Sequence, residues 1–140
     1  MAQASANIEI TASPNEVWQL IGGFGSLPDW LPCIPESELS EGGRVRHLTN
    51  SGGEIIVERL VKFDDAALSY TYAILQAPFP VTNYLSTLRV WETGDGSGSR
   101  VEWLGQFTPN GVSDLEAFRL FQGIYENGLK ALAAAFPLKR

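Results

Sequence analysis

The chain has 140 residues, 44% of them hydrophobic and 19% charged, with a formal net charge of -6. That length gives one domain with its own core, the composition excludes intrinsic disorder, and no apolar run reaches the roughly 18 residues of a membrane span. Ten Lys and Arg, scattered against sixteen Asp and Glu, build no basic surface, so nucleic acid is not an expected partner.

One Cys and one His exclude a disulfide within the chain, a zinc centre, and any catalytic triad not built on His47. Neither a metal nor a cofactor is implied. The opening Met-Ala-Gln-Ala-Ser-Ala-Asn has no basic stretch followed by an apolar one, so no signal peptide is expected and the cytoplasm is the expected compartment.

In chain order, residues 4–11 alternate toward Ile8 and Ile10 and predict a first strand. Ser13-Pro14-Asn15-Glu16 then starts a helix: Ser at the N-cap, Pro in the first turn, and Glu three residues on, whose carboxylate can reach back to a free backbone N–H. Val17, Leu20 and Ile21 give it one apolar face, and Gly22-Gly23 ends it. A second short helix is expected at 25–31, before Pro28, Pro32 and Pro35 break the chain. From about 36 to 108 the pattern is β, with strands expected at 44–49, 54–63, 67–75, 83–92 and 99–108. The turn-rich segments between them are short, which predicts an antiparallel meander. Two prolines in Gln76-Ala77-Pro78-Phe79-Pro80 predict a longer loop. Ser113-Asp114-Leu115-Glu116 opens a closing helix over 113–136.

On that helix Phe118, Phe121, Tyr125, Leu129, Leu132 and Phe136 form one apolar row. Ala117, Leu120, Ile124, Gly128 and Ala131 form a second beside it, so a concave surface must grip the helix. Gly128, in mid-helix, signals either close packing or room for a ligand; under the second reading Gly128→Phe fills the space and leaves the fold standing.

Strand alternation selects the residues that face this helix. They are Ile56, Glu58 and Leu60; Tyr70, Tyr72 and Ile74; Tyr84, Ser86, Leu88 and Val90; and Val101, Trp103, Gly105 and Phe107. Lys62 shares parity with Glu58, which requires the strand to end or a bulge to intervene. His47 has the opposite parity to Arg46 and is expected to face solvent. Inward polar groups need partners, and Arg46 is the cation placed to pair with Glu58 across the turn at 50–53. Such a pair is either structural or a device that orients a ligand or moves a proton, and pairing predicts a depressed Glu58 carboxylate.

Taken in order, Ser-Pro-x-x-Val-Trp on the first helix, Leu-Pro-x-Trp-x-Pro at 27–32, Arg-x-Leu at 46–48, Gly-x-x-x-x-Glu-Arg-Leu at 53–60, Asp65, Tyr-x-x-Thr-x-x-Val at 84–90, Val-x-Trp at 101–103 and Phe-x-Pro at 107–109 resemble the polyketide cyclase/dehydrase family of the START-like superfamily. The resemblance runs from about residue 4 to 136. It implies an α+β helix-grip fold: a seven-stranded antiparallel sheet round the C-terminal helix, two short helices after the first strand, and an apolar cavity between sheet and helix. By register with the plant abscisic-acid receptors of that superfamily, Glu58 corresponds to a pocket carboxylate, Ile56, Tyr72, Ile74, Tyr84 and Ser86 to pocket walls, and Leu120, Ile124 and Gly128 to the lining helix face. Asn50–Ile55 and Gln76–Val81 correspond to the gate and latch, but their receptor sequences are absent, so abscisic acid is not implied as the ligand.

Two functions follow. One is binding of a small hydrophobic molecule, lipid or polyketide-like, with Trp30, Arg46, Trp103 and Phe107 completing the candidate site. The other is a cyclase or dehydratase with Glu58 as acid or base and Tyr72, Tyr84 or Arg46 stabilising an enolate. A protein-interaction module has only the Pro-rich loops in its favour. Cys33, between two prolines, reads as an ordinary small residue, and Gly22-Gly23-Phe24-Gly25 as a helix end, not a dinucleotide fingerprint.

Overall fold

The computed structural model describes residues 2–136. Strand β1 (Ala2–Ile10) is followed by helix α1 (Pro14–Ile21), β2 (Glu36–Ser40), β3 (Val45–Thr49), β4 (Ile55–Asp64), β5 (Ser69–Gln76), β6 (Val81–Glu92), β7 (Ser99–Pro109) and helix α2 (Asp114–Ala134). The strands form one antiparallel sheet in the order β1-β7-β6-β5-β4-β3-β2, so the first strand pairs with the last and the rest is a meander. Among the described residues no helix is long and apolar enough to cross a membrane.

Both helix starts form as the capping pattern requires. Ser13 Oγ accepts the Glu16 backbone N–H at 3.2 Å, and Ser113 Oγ accepts that of Glu116 at 3.1 Å. The reciprocal arm differs: the Ser13 hydroxyl donates to the Glu16 carboxylate, which therefore does not reach back to the backbone. The second short helix expected at 25–31 is only a 3-10 turn at Leu27–Asp29. Strand β2 escapes the pattern because Glu-Ser-Glu-Leu-Ser has weak strand propensity and follows three prolines.

The sheet wraps α2 along one narrow stripe, Ala117, Phe121, Tyr125, Gly128, Leu129 and Leu132. Phe118 faces outward and Leu120 is half-buried, so the gripped arc is narrower than the apolar arc of the sequence. At the free edge of β1, the backbone N–H of Ser5 is taken by the Gln122 side chain of α2 at 3.1 Å, which blunts that edge.

Irregularities in the ladders aim the inner side chains. A register shift between Leu60 and Lys62 turns Lys62 outward, as its polarity demands, and brings Phe63 opposite Tyr70. Another, between Val57 and Glu58, leaves Leu75 unpaired and exposed. A third, between Thr82 and Leu85, holds Asn83 at φ 53° and sets Tyr84 inward.

Candidate functional site

Arg46 on β3 and Glu58 on β4 stand directly opposite one another in the ladder, joined by the turn after Thr49. Both point inward and are almost wholly buried, at 1% and 6% exposure. Arg46 Nε donates to Glu58 Oε1 at 2.8 Å, and a second guanidinium nitrogen lies 2.7 Å from the same oxygen. The remaining terminal nitrogen donates to the Phe24 carbonyl at 3.2 Å and the Tyr70 hydroxyl at 3.3 Å. The rings of Phe24 and Tyr72 lie 4.2 and 4.7 Å from the guanidinium carbon. Each guanidinium nitrogen thus has a partner within the protein. Glu58 Oε2, in contrast, takes part in neither contact with Arg46.

Burial pushes the Glu58 carboxyl above its ordinary value, and the attraction of Arg46 only partly offsets it. This corrects the depressed carboxylate expected of a paired Glu: taking the group out of water costs more than one shared oxygen contact returns. Burial also works against the Arg46 charge, but Tyr70, Glu58 and Tyr72 outweigh it and hold the guanidinium above its usual value.

A second polar cluster lies beside the pair. Trp103 Nε1 donates to Ser86 Oγ at 3.0 Å and to the Tyr72 hydroxyl at 3.1 Å, while Ser86 donates to the Leu104 carbonyl at 2.7 Å. The hydroxyls of Tyr84 and Tyr125 are hydrogen-bonded to one another. Burial pushes both Tyr72 and Tyr84 well above the ordinary tyrosine value, and Tyr125 up to about 12, so all three stay protonated. Gly105 on β7 makes the last contact possible, because a Cβ there would collide with the Tyr125 hydroxyl.

Between α2 and the sheet these groups border a hollow of about 250 Å³. Arg46, Ile56, Glu58, Tyr72 and Ile74 form its sheet wall, with Tyr84 and Trp103 beyond, and Ile124 faces them from the helix. Five candidates do not line it. Ser86 is hidden behind the Trp103 indole it accepts from, and Phe107 is packed against Tyr84 and Phe121. Trp30 lies edge-on to Trp103 at 6.0 Å, its own Nε1 buried without a partner. Leu120 and Gly128 open instead on a shallow outer groove between α2 and the Leu31–Cys33 segment. A Cβ on Gly128 would lie 2.7 Å from Trp103 Cζ3 and 3.0 Å from Leu31 Cδ1, so this glycine serves close packing.

Other lining residues were not among the candidates. Leu48 was legible, since it shares parity with Arg46, and Phe121 belongs to the first apolar row of the helix. Leu31, Ile34 and Phe79 sit in irregular segments, where no period announces which way a side chain points. At the mouth, Asn50 Oδ1 accepts the backbone N–H of Gly52 and Glu54 at 3.0 and 2.9 Å, and the Ser51 N–H donates to the Cys33 carbonyl at 3.0 Å. Burial pushes the Cys33 thiol up, away from the reactive thiolate. Asp65, one of the residues of the family pattern, holds the Trp18 indole at 2.7 Å and so pins α1 to the end of the sheet. His47 is exposed and bonded to Ser40 at 2.9 Å.

Residues 1–137 match the family model described as polyketide cyclase / dehydrase and lipid transport. The chain belongs to that family. Its fold is the START-like helix grip, also seen in a START superfamily protein from Mycobacterium smegmatis, which is 16% identical with a TM-score of 0.79 over 97% of both chains. Much nearer in sequence is the protein XoxI from Bacillus cereus, 61% identical, with a TM-score of 0.95 over 97% of this chain and 96% of that one. A Bacillus thuringiensis protein is 60% identical, with a TM-score of 0.95 over 96% of this chain and 98% of that one. The family's description covers both chemistry and carriage, so the choice between them rests on the site.

Proposed function

We propose that this chain is a binding protein for a small hydrophobic molecule, held in the hollow between α2 and the sheet. The observation that carries the reading is a mostly apolar chamber lined by Glu58, whose carboxylate is bonded to Arg46 through Oε1 alone. Apolar walls supply affinity by removing surface from water, and a single oriented polar group fixes the ligand's direction. The opposing cation does not share that role, because Arg46 is held by Glu58, Phe24 and Tyr70.

Ile56 is buried on the wall opposite α2, so Ile56→Trp places an indole in the chamber without uncovering the core. Binding of an apolar probe is expected to fall by about a hundredfold, with a stability change within roughly 2 kcal/mol. Undiminished binding in a folded Ile56→Trp protein places the ligand elsewhere and sinks the reading.

One observation favours a cyclase or dehydratase instead: the raised Glu58 carboxyl, next to a protonated Tyr72, is the pairing that proton transfer at a ketone needs. Against it, the same carboxylate is locked to Arg46 through one oxygen, which restrains it as a base. Assays on aromatic polyketide-like ketones are expected to show no turnover that depends on Glu58. Turnover that Glu58→Gln lowers by about a hundredfold or more replaces the binding reading with the enzymatic one.

A further inference from the structure

We infer that the hollow selects a neutral molecule of one or two rings bearing a hydroxyl, a phenol or cyclic alcohol, and rejects carboxylates and two-chain lipids. The inference rests on the binding reading above and adds the ligand's charge, polar group and size.

Charge follows from how the ion pair is used. An incoming anion would need the Arg46 guanidinium, but its nitrogens are spent on Glu58, the Phe24 carbonyl and the Tyr70 hydroxyl, and the Phe24 and Tyr72 rings lie against it. What the chamber does have in its wall is Glu58, bonded to Arg46 through one of its two oxygens. Paired with Arg46, the Glu58 carboxylate accepts hydrogen bonds and donates none, so a ligand carboxylate set against it meets like charge and no free cation. A hydroxyl there donates a charge-assisted bond.

Beside Glu58 the chamber offers a complementary donor. Tyr72 lies on the neighbouring strand, diagonal to Glu58 in the ladder, where Glu58 pairs with Ile74 and Leu60 with Tyr72. Its hydroxyl accepts the Trp103 N–H and lies beside Ser86; because Ser86 Oγ already accepts from Trp103, the Tyr72 proton can turn to a ligand. A ligand hydroxyl satisfies both neighbours by donating to Glu58 and accepting from Tyr72, which an ether, a hydrocarbon or a carboxylate cannot do. Burial, which holds the Tyr72 hydroxyl protonated, preserves that donor across the physiological range.

Size and shape follow from the walls. About 250 Å³ falls below the roughly 300–1,000 Å³ of sites that hold drug-sized molecules, and two acyl chains do not fit. Tyr72, Phe79, Tyr84, Trp103 and Phe121 line it, and ring faces and edges favour a flat aromatic guest.

The test uses the whole protein and two probes of one skeleton, 2-naphthol and naphthalene-2-carboxylate, titrated calorimetrically at neutral pH. 2-Naphthol is expected to bind about tenfold or more tightly than the carboxylate. Glu58→Gln, which removes the repelling charge, is expected to bring the two within about threefold. Should that variant fail to fold, Tyr72→Phe serves, since Trp103 Nε1 keeps Ser86 as partner; it is expected to weaken 2-naphthol by about threefold or more, and unweakened binding overturns the hydroxyl recognition. Equal or tighter binding of the carboxylate to the unaltered protein overturns the selectivity and leaves the binding reading standing. Failure of both probes to bind, or binding that survives Ile56→Trp, overturns the binding reading and the selectivity with it.

Discussion

Arg46→Met is expected to lower the stability of the protein by about 3–5 kcal/mol at neutral pH, measured by urea unfolding, because it leaves the Glu58 charge buried without a partner. The loss should shrink as the pH falls, since an unpaired buried carboxylate escapes its penalty by taking a proton. Glu58→Gln is expected to cost less, about 1–2 kcal/mol, as the amide oxygen still accepts from Arg46 and the guanidinium keeps Phe24 and Tyr70. The double replacement Arg46→Met with Glu58→Leu should recover most of the stability lost in Arg46→Met, because an apolar pair of similar volume carries no desolvation cost. A double variant no more stable than Arg46→Met alone would show that the pair, not the removal of one partner, is what the fold requires.

The same site has a pH signature of its own. Burial raises the folded Glu58 above the ordinary 4.5, so the native chain holds that proton more tightly than the unfolded chain. This contribution to stability is fully present below pH 4.5 and is lost as the pH rises through the raised value. Glu58→Gln should remove that decline from the stability profile; an unaltered profile would place the buried proton on another group.

Gly128→Phe is expected to unfold the protein or cost more than about 3 kcal/mol, a thermal-melt measurement away from decision. Even the first carbon of a side chain would meet Trp103 at 2.7 Å and Leu31 at 3.0 Å, and a phenyl ring has to push the indole from its place against Tyr125. Displacing Trp103 also breaks its bonds to Ser86 and Tyr72. Gly128→Ala should be much milder, because the gain of about 1 kcal/mol in helix propensity works against the crowding. A Gly128→Phe protein that melts like the original would return this glycine to the ligand chamber and show that Trp103 yields freely.

Gly128 illustrates where sequence reading stops. A glycine in the apolar arc of a helix announces that something comes close, and periodicity cannot say whether that neighbour is an indole or a ligand. Glu58 illustrates it differently. Its pairing with Arg46 was legible, since strand parity and the intervening turn place two opposite charges across a ladder. The direction of its proton affinity was not, because it depends on how much water the surrounding rings exclude, a property of the assembled walls.

Features that depend on local periodicity and backbone chemistry were legible before folding. Ser13 and Ser113 start the two helices, the alternation from Tyr70 to Phe107 chooses the inner face, and the misplaced polarity of Lys62 demands a shift of register. Which inner residues border empty space emerges from packing alone. Phe107 and Ser86 share parity with Tyr84, yet they are covered by Phe121 and by the Trp103 indole, while Tyr84 is turned to the chamber beside the irregular pairing at Asn83. Leu31, Ile34 and Phe79 reach the same chamber from segments with no period at all. The physical reason is that a hollow is the volume left over when distant side chains have packed, and its boundary is set by their sizes and meeting points, which no local pattern encodes.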